Sequence, residues 1–177
     1  MSSTFNPSPE VPPEIENAAQ SGELVVFVGA GISRLIKCPS WDGFADKVLE
    51  QLVPEGIDYH ELSQINGIRD PKKRLSIAKI VAEKKELKID YQSIFKVPLE
   101  PNNVYTYLNS FNSSFVTTNY EKYLRPESRS AHPEEEWRFY RREQLLRVNL
   151  DKNGNVVHLH GCLDDPGQMI ITTKDYL

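Results

Sequence analysis

The sequence predicts an α/β fold in which a mainly parallel sheet is flanked by helices. Three short runs predict it. The first is Leu24-Val25-Val26-Phe27-Val28, apolar throughout as a strand covered on both faces is, and it breaks at once into Gly29-Ala30-Gly31-Ile32-Ser33. The second is Phe115-Val116-Thr117-Thr118, rich in β-formers and followed by Asn119-Tyr120-Glu121; the third is Val156-Val157-His158-Leu159, followed by His160-Gly161. All three place glycine or polar residues at the carboxyl end of a strand. Ligands of open parallel sheets sit outside those ends, so the three segments are expected to share one crevice.

The remaining elements follow in chain order. Residues 1–13 hold four of the twelve prolines and read as a flexible leader. Glu14–Ala19 is a short helix stopped by Ser21-Gly22. Ser40 caps a helix over Trp41–Val53 whose apolar positions Trp41, Phe44, Ala45, Val48, Leu49 and Leu52 fall on one face. Residues 54–98 are helical over Tyr59–Asn66 and Lys72–Leu87, with a loop about Asp90-Tyr91. Pro101-Asn102-Asn103 opens another helix, with Val104, Tyr107, Leu108 and Phe111 on one face. After the second strand, Glu121 reads either as a crevice residue or as the cap of a helix starting at Tyr120. Residues 126–143 read as a solvated helix in which Glu134-Glu135-Glu136 pairs with Arg138, Arg141 and Arg142. The sharper alternative is a subunit contact anchored by Trp137, Phe139 and Tyr140. Leu145–Leu150 and Asn155–Leu159 flank Asp151-Lys152-Asn153-Gly154, which predicts a β-hairpin and an antiparallel addition to the sheet. Met169–Thr172 is a last short strand, and Lys174-Asp175-Tyr176-Leu177 opens a further helix. The architecture expected is Rossmann-like, with a helical insertion and a hairpin.

At 177 residues one domain is expected, here residues 14–177. A net charge of −4 does not point to nucleic acid, and no apolar run approaches the roughly 18 residues that span a bilayer. Only two cysteines, far apart, and no signal-peptide pattern suggest a reducing, cytoplasmic setting.

Two glycines after a strand let the chain turn tightly and let a phosphate approach the main chain. The dinucleotide fingerprint of dehydrogenases is absent, since Arg34 stands where its third glycine would be. His158, His160 and Cys162 alternate, and an extended strand would put all three on one face, so a metal site is a rival reading. A second rival is a nucleotide-sensing or oligomerising module without catalysis.

With Gly29-Ala30-Gly31-Ile32-Ser33, Thr117-Thr118-Asn119-Tyr120-Glu121 and His158-Leu159-His160-Gly161 in this order, the chain resembles the sirtuin-like superfamily, from about Glu14 onward, and in particular its NAD-hydrolase branch. The resemblance implies that the glycine segment cradles the pyrophosphate and closes over the nicotinamide ribose. It implies that Asn119 sits by the nicotinamide pocket and positions water, and that His160 acts at the ribose hydroxyls. Gly29, Ala30, Gly31, Ile32, Ser33, Thr118 and Glu121 would then line the NAD site. Protein-deacylating sirtuins carry a four-cysteine zinc ribbon and a Pro-Asp-Phe-Arg-type segment, whereas this chain has Cys38, Cys162 and Cys38-Pro39-Ser40-Trp41-Asp42. NAD cleavage without an acyl-lysine substrate and without zinc is therefore expected. In the family the strands that hold the adenosine ribose come later, so the sheet is expected to be incomplete at its C-terminal edge. The setting implied is bacterial antiviral defence by NAD depletion, with control by homo-oligomerisation or by a partner sensor domain.

The residue types suit that chemistry. The leaving nicotinamide is already cationic, so the protein needs to hold the ribose and direct one water rather than supply a strong acid. A carboxamide such as Asn119 both donates and accepts at any physiological pH, and an imidazole such as His160 takes a proton near neutrality.

Overall fold

The computed structural model describes residues 10–126, 138–148, 150 and 154–176. Most of the leader, Glu134-Glu135-Glu136-Trp137 and Asp151–Asn153 lie outside the described residues. Four strands form one sheet in the order β1-β2-β4-β3: β1 (Val25–Val28), β2 (Ser114–Thr117), β3 (Arg138–Arg141) and β4 (Asn155–His158). Every pairing is parallel. Seven helices accompany the strands among the described residues: α1 (Pro13–Ser21), α2 (Ala30–Leu35), α3 (Trp41–Leu52), α4 (Tyr59–Asn66), α5 (Pro71–Lys84), α6 (Tyr91–Phe95) and α7 (Val104–Asn109).

Local chemistry sets most of the helix starts. Ser40 accepts from the Gly43 amide, Asp58 and Glu61 form a reciprocal capping box, and Asp70 caps α5 just ahead of Pro71. Asp90 and Asn103 cap α6 and α7 in the same manner. Helix α1 ends on Gly22 at φ 80°, a left-handed conformation that glycine adopts freely.

The core divides in two. One cluster joins Val28, Phe115 and Val156 from the sheet to Ile36, Tyr105 and Leu124. The other joins α3, α5 and α6 through Phe44, Val48, Leu52, Leu75, Ala78 and Phe95, and takes in Tyr120, Met169 and Ile171. Arg74 on α5 fastens the second cluster by bridging to Asp46 at 2.6 Å and to Asp42 at 2.8 Å on α3.

Several expectations are corrected. The hairpin does not form: β4 pairs with β3 in parallel, and residues Arg142–Arg147 make a 3-10 helix instead of its first strand. Part of the charged stretch is accordingly strand and not helix, because Phe139 and Tyr140 are β-forming residue types that suit a strand beside β4. No helix starts at Tyr120, and Met169–Thr172 packs into the core without joining the sheet. Gly29 caps α2, and Ala30-Gly31-Ile32-Ser33 form its first turn. Strand β1, read as covered on both faces, is an edge of the described sheet, with Val25 42% and Phe27 63% exposed. The helical insertion stands as expected in α4 and α5.

One glycine is fixed by its surroundings. Gly161 lies at φ 76°, and a Cβ there would come within 2.5 Å of the Gln168 carbonyl oxygen. The turn it makes brings the chain back so that the Ile170 amide bonds to the His160 carbonyl at 2.9 Å. Gly161→Ala is expected to destabilise the fold by roughly 2 kcal/mol or more, from left-handed strain and the clash together. Urea unfolding measures it, and an unchanged midpoint would show that the 161–170 turn does not constrain the fold.

Candidate functional site

Parallel pairing sets Val28, Thr117 and His158 level with one another at the carboxyl ends of β1, β2 and β4. The segments that leave these strands therefore start at one height. They converge on a crevice of about 530 Å³, within the range of small-molecule sites. Ala30, Gly31 and Ser33 line it from α2, Thr118, Asn119, Tyr120 and Glu121 from beyond β2, and His160 from beyond β4.

Asn119 is held at four points. Its backbone N–H donates to Thr117 Oγ1 at 3.0 Å, and the same hydroxyl donates to the Val28 carbonyl at 2.7 Å. Its carbonyl accepts from Nδ1 of His158 at 2.9 Å. The carboxamide nitrogen donates to the Gly29 carbonyl at 3.1 Å and to Ser33 Oγ at 2.7 Å. Both amide hydrogens are thereby committed to the protein. A carbonyl partner at Gly29 also fixes which end of the carboxamide is nitrogen, so the free polar atom is Oδ1, an acceptor.

Behind Asn119 lies a buried cluster of hydroxyls around a carboxylate. Glu121, 4% exposed, accepts on Oε1 from Ser33 at 2.8 Å and from Tyr105 at 2.5 Å. Burial holds its carboxyl above the ordinary carboxylate range, and the hydrogen bonds from Tyr105 and Ser33 work against that rise. The facing wall is aromatic: Phe44 and Phe95 lie 4.9 Å apart between ring centres, with Tyr120 5.7 Å from Phe95 and Trp41 6.2 Å from Tyr120.

The crevice thus brings together Ala30, Gly31, Ser33, Thr118, Asn119, Glu121 and His160 from the residues singled out in the sequence. Gly29 takes part through its carbonyl, whereas Ile32 is turned into the core beside Tyr105 and Phe115. Trp41, Lys72 and Phe95 were not anticipated; Lys72 reaches the rim from α5, its ammonium 5.1 Å from the centre of the Trp41 ring. The apolar periodicity of α3 had assigned Trp41 to the core. His158, His160 and Cys162 do not make the shared face of a metal site, because β4 ends at His158 and the chain turns at Gly161. Among the described residues no group of three His, Cys, Asp or Glu side chains is placed to hold a metal ion. Both cysteines are buried and neither forms a disulfide.

The glycines Gly29 and Gly31 are not explained by strain or crowding. Gly29 has φ −101°, open to any residue, and a Cβ at either position would meet nothing within 4 Å. What they leave is open space at the mouth of the turn.

His158 is fully buried, and desolvation pushes its imidazole down to about 4. It therefore stays neutral in the fold while the unfolded chain takes up a proton below about pH 6.5. Stability is expected to fall as pH drops from about 6.5 to 4, by up to about 3 kcal/mol from this group. Glu121, raised in the fold, acts in the opposite sense and is isolated by comparison. His158→Gln should flatten the difference in unfolding free energy across that window, and a parallel pair of stability–pH curves would refute the assignment.

Comparison with known families finds one segment. Residues 113–177 match the SIR2-like domain. The match opens at β2 and takes in Asn119, Glu121, His158 and His160, while the glycine turn lies before it. A comparison with curated proteins gives no match. Among the described residues no helix is long and apolar enough to cross a membrane. Through the segment that carries β2, β4 and the polar end of the crevice, the chain is similar to the SIR2-like domain.

Proposed function

We propose that this chain binds NAD and hydrolyses its nicotinamide–ribose bond. SIR2-like domains use NAD, and the match over residues 113–177 supports that dinucleotide as the ligand. The observation that carries the finer reading is the commitment of both Asn119 amide hydrogens, which presents an acceptor alone to the crevice.

An acceptor at that point orients water usefully. A water that donates one hydrogen to Asn119 Oδ1 directs its lone pair away from the carboxamide, toward the anomeric carbon of a ribose held in the crevice. As the C–N bond breaks, nicotinamide leaves neutral and positive charge passes to the ribose. The buried Glu121 carboxylate favours that charge electrostatically. The new C–O bond forms on the face opposite or adjacent to the departed ring, and the water's second proton goes to His160, giving ADP-ribose. The aromatic wall of Phe44, Phe95 and Tyr120 excludes bulk water. Open space at Gly29 and Gly31 suits a pyrophosphate lying against the main chain.

The wider role we infer is NAD depletion in bacterial antiviral defence, with activity governed by self-assembly or by a partner sensor. It rests on the likeness of the three motifs to the NAD-hydrolase branch. A zinc-dependent deacylase fits less well, since the chain carries only Cys38 and Cys162.

Asn119→Ala and His160→Ala are each expected to lower nicotinamide release about 100-fold or more. His160→Ala should leave the melting temperature unchanged, whereas Asn119→Ala should lower it, because Gly29 and Ser33 lose a donor. Wild-type turnover in either variant removes that residue from the mechanism.

Gly31→Leu should leave the fold intact but abolish the rise in melting temperature that NAD produces, since the side chain enters the open space at the turn. An NAD-induced rise as large as that of the wild type would place the dinucleotide elsewhere.

A further inference from the structure

Tyr105 is the member of the buried cluster that comes from outside the three strand ends. It sits on α7, 1% exposed, and does not line the crevice. Its ring packs against Tyr123 at 5.6 Å, as a phenylalanine would. Its hydroxyl is what a phenylalanine would lack: it donates to Glu121 Oε1 at 2.5 Å and lies 3.1 Å from Ser33 Oγ.

We propose that Tyr105 is a positioning residue, whose hydroxyl keeps Glu121 an ionised acceptor and so holds Ser33 and the Asn119 carboxamide with Oδ1 toward the crevice. Its consequence for turnover rests on the NAD-hydrolase reading; its effect on Glu121 does not.

The geometry gives the reason. A carboxylate this deeply buried is costly unless its charge is met by donors, and two O–H groups converge on one of its oxygens. The groups packed about it are Tyr105 from α7, Ser33 from α2, Cys38 beyond α2, and Asn119 and Tyr123 from its own segment. None of these is a cation. The guanidinium of Arg34, on the same crevice, is turned to the Cys38 carbonyl at 2.9 Å. The two hydroxyls are therefore foremost in meeting the charge, with smaller help from the Glu121 backbone N–H and the Asn119 carboxamide.

Without the tyrosine donor, Glu121 takes a proton at higher pH. Once protonated, its O–H seeks an acceptor, and Ser33 Oγ is the nearest. That oxygen already accepts from Asn119 Nδ2. To accept from both, the Ser33 hydroxyl must turn its own proton away from Glu121, and the anchor of the carboxamide shifts with it. Tyr105 thus reaches Asn119 through three hydrogen bonds, and the reacting water through a fourth, without touching substrate.

The test uses the full chain with 13C-labelled glutamate carboxyls, the Glu121 resonance being the one lost in Glu121→Gln. In Tyr105→Phe the Glu121 midpoint is expected to move upward by about one pH unit. Ring-fluorinated tyrosine at position 105 keeps the shape, strengthens the donor and should move the midpoint downward. In turnover, Tyr105→Phe should lower kcat about tenfold with KM within about twofold, and the acid limb of the kcat profile should follow the Glu121 midpoint. An unmoved midpoint in both variants overturns the proposal, as does a kcat loss uniform across pH. Absence of nicotinamide release from the wild-type chain would instead overturn the NAD-hydrolase reading, and the resonance shifts would still decide the role of Tyr105.

Discussion

The hydrogen bond from His158 Nδ1 to the Asn119 carbonyl joins the ends of β2 and β4, and the rest of the site is arranged about it. It demands a proton on Nδ1, and burial separately holds the imidazole neutral. Thr117 does the corresponding work between β2 and β1, its hydroxyl accepting from Asn119 and donating to Val28. Strand register alone would bring three loops to one level; these two side chains convert that level into a fixed orientation for one carboxamide. A group locked by several partners keeps its one free polar atom within a fraction of an ångström.

The helical layer supplies the other half of the crevice. Helix α3 presents Phe44 to Phe95 and Tyr120, and the Tyr120 hydroxyl bonds to the Ile170 carbonyl at 2.5 Å. One residue thus lines the crevice, packs in the helical core and ties down the segment after Gly161. Arg74, bridging to two carboxylates on α3, sets the spacing of α3 and α5 beneath it. Rigidity at the polar end and close packing at the aromatic wall have the same source, since Asn119, Tyr120 and Glu121 are consecutive.

What the sequence disclosed follows from what local patterns encode. Helix α3 was legible because its Ser40 cap and one-face periodicity agree, and β1, β2 and β4 because short β-rich runs end in glycine or polar residues. The Asn153-Gly154 pair misled because a turn signal does not say which strands it joins; β4 found β3 in parallel and left Arg142–Arg147 in a 3-10 helix. Phe27 was unreadable as exposed, since an apolar run looks the same at an edge as at the centre of a sheet. In the crevice, residues next to strand ends were found and those from distant helices were not. Tyr105 carries no local signal, because its partner lies sixteen positions away on another element and only folding brings the two hydroxyls to one carboxylate.

Cys38 gives the crevice a property of another kind. Its thiol lies at the wall, fully buried, and burial together with the Glu121 charge pushes it up to about 12. Oxidants and alkylating agents react with thiolate, and almost none is present at neutral pH. An oxidant that consumes exposed thiolates would therefore leave Cys38 unmodified, and the shape of this wall would not depend on the redox balance around it.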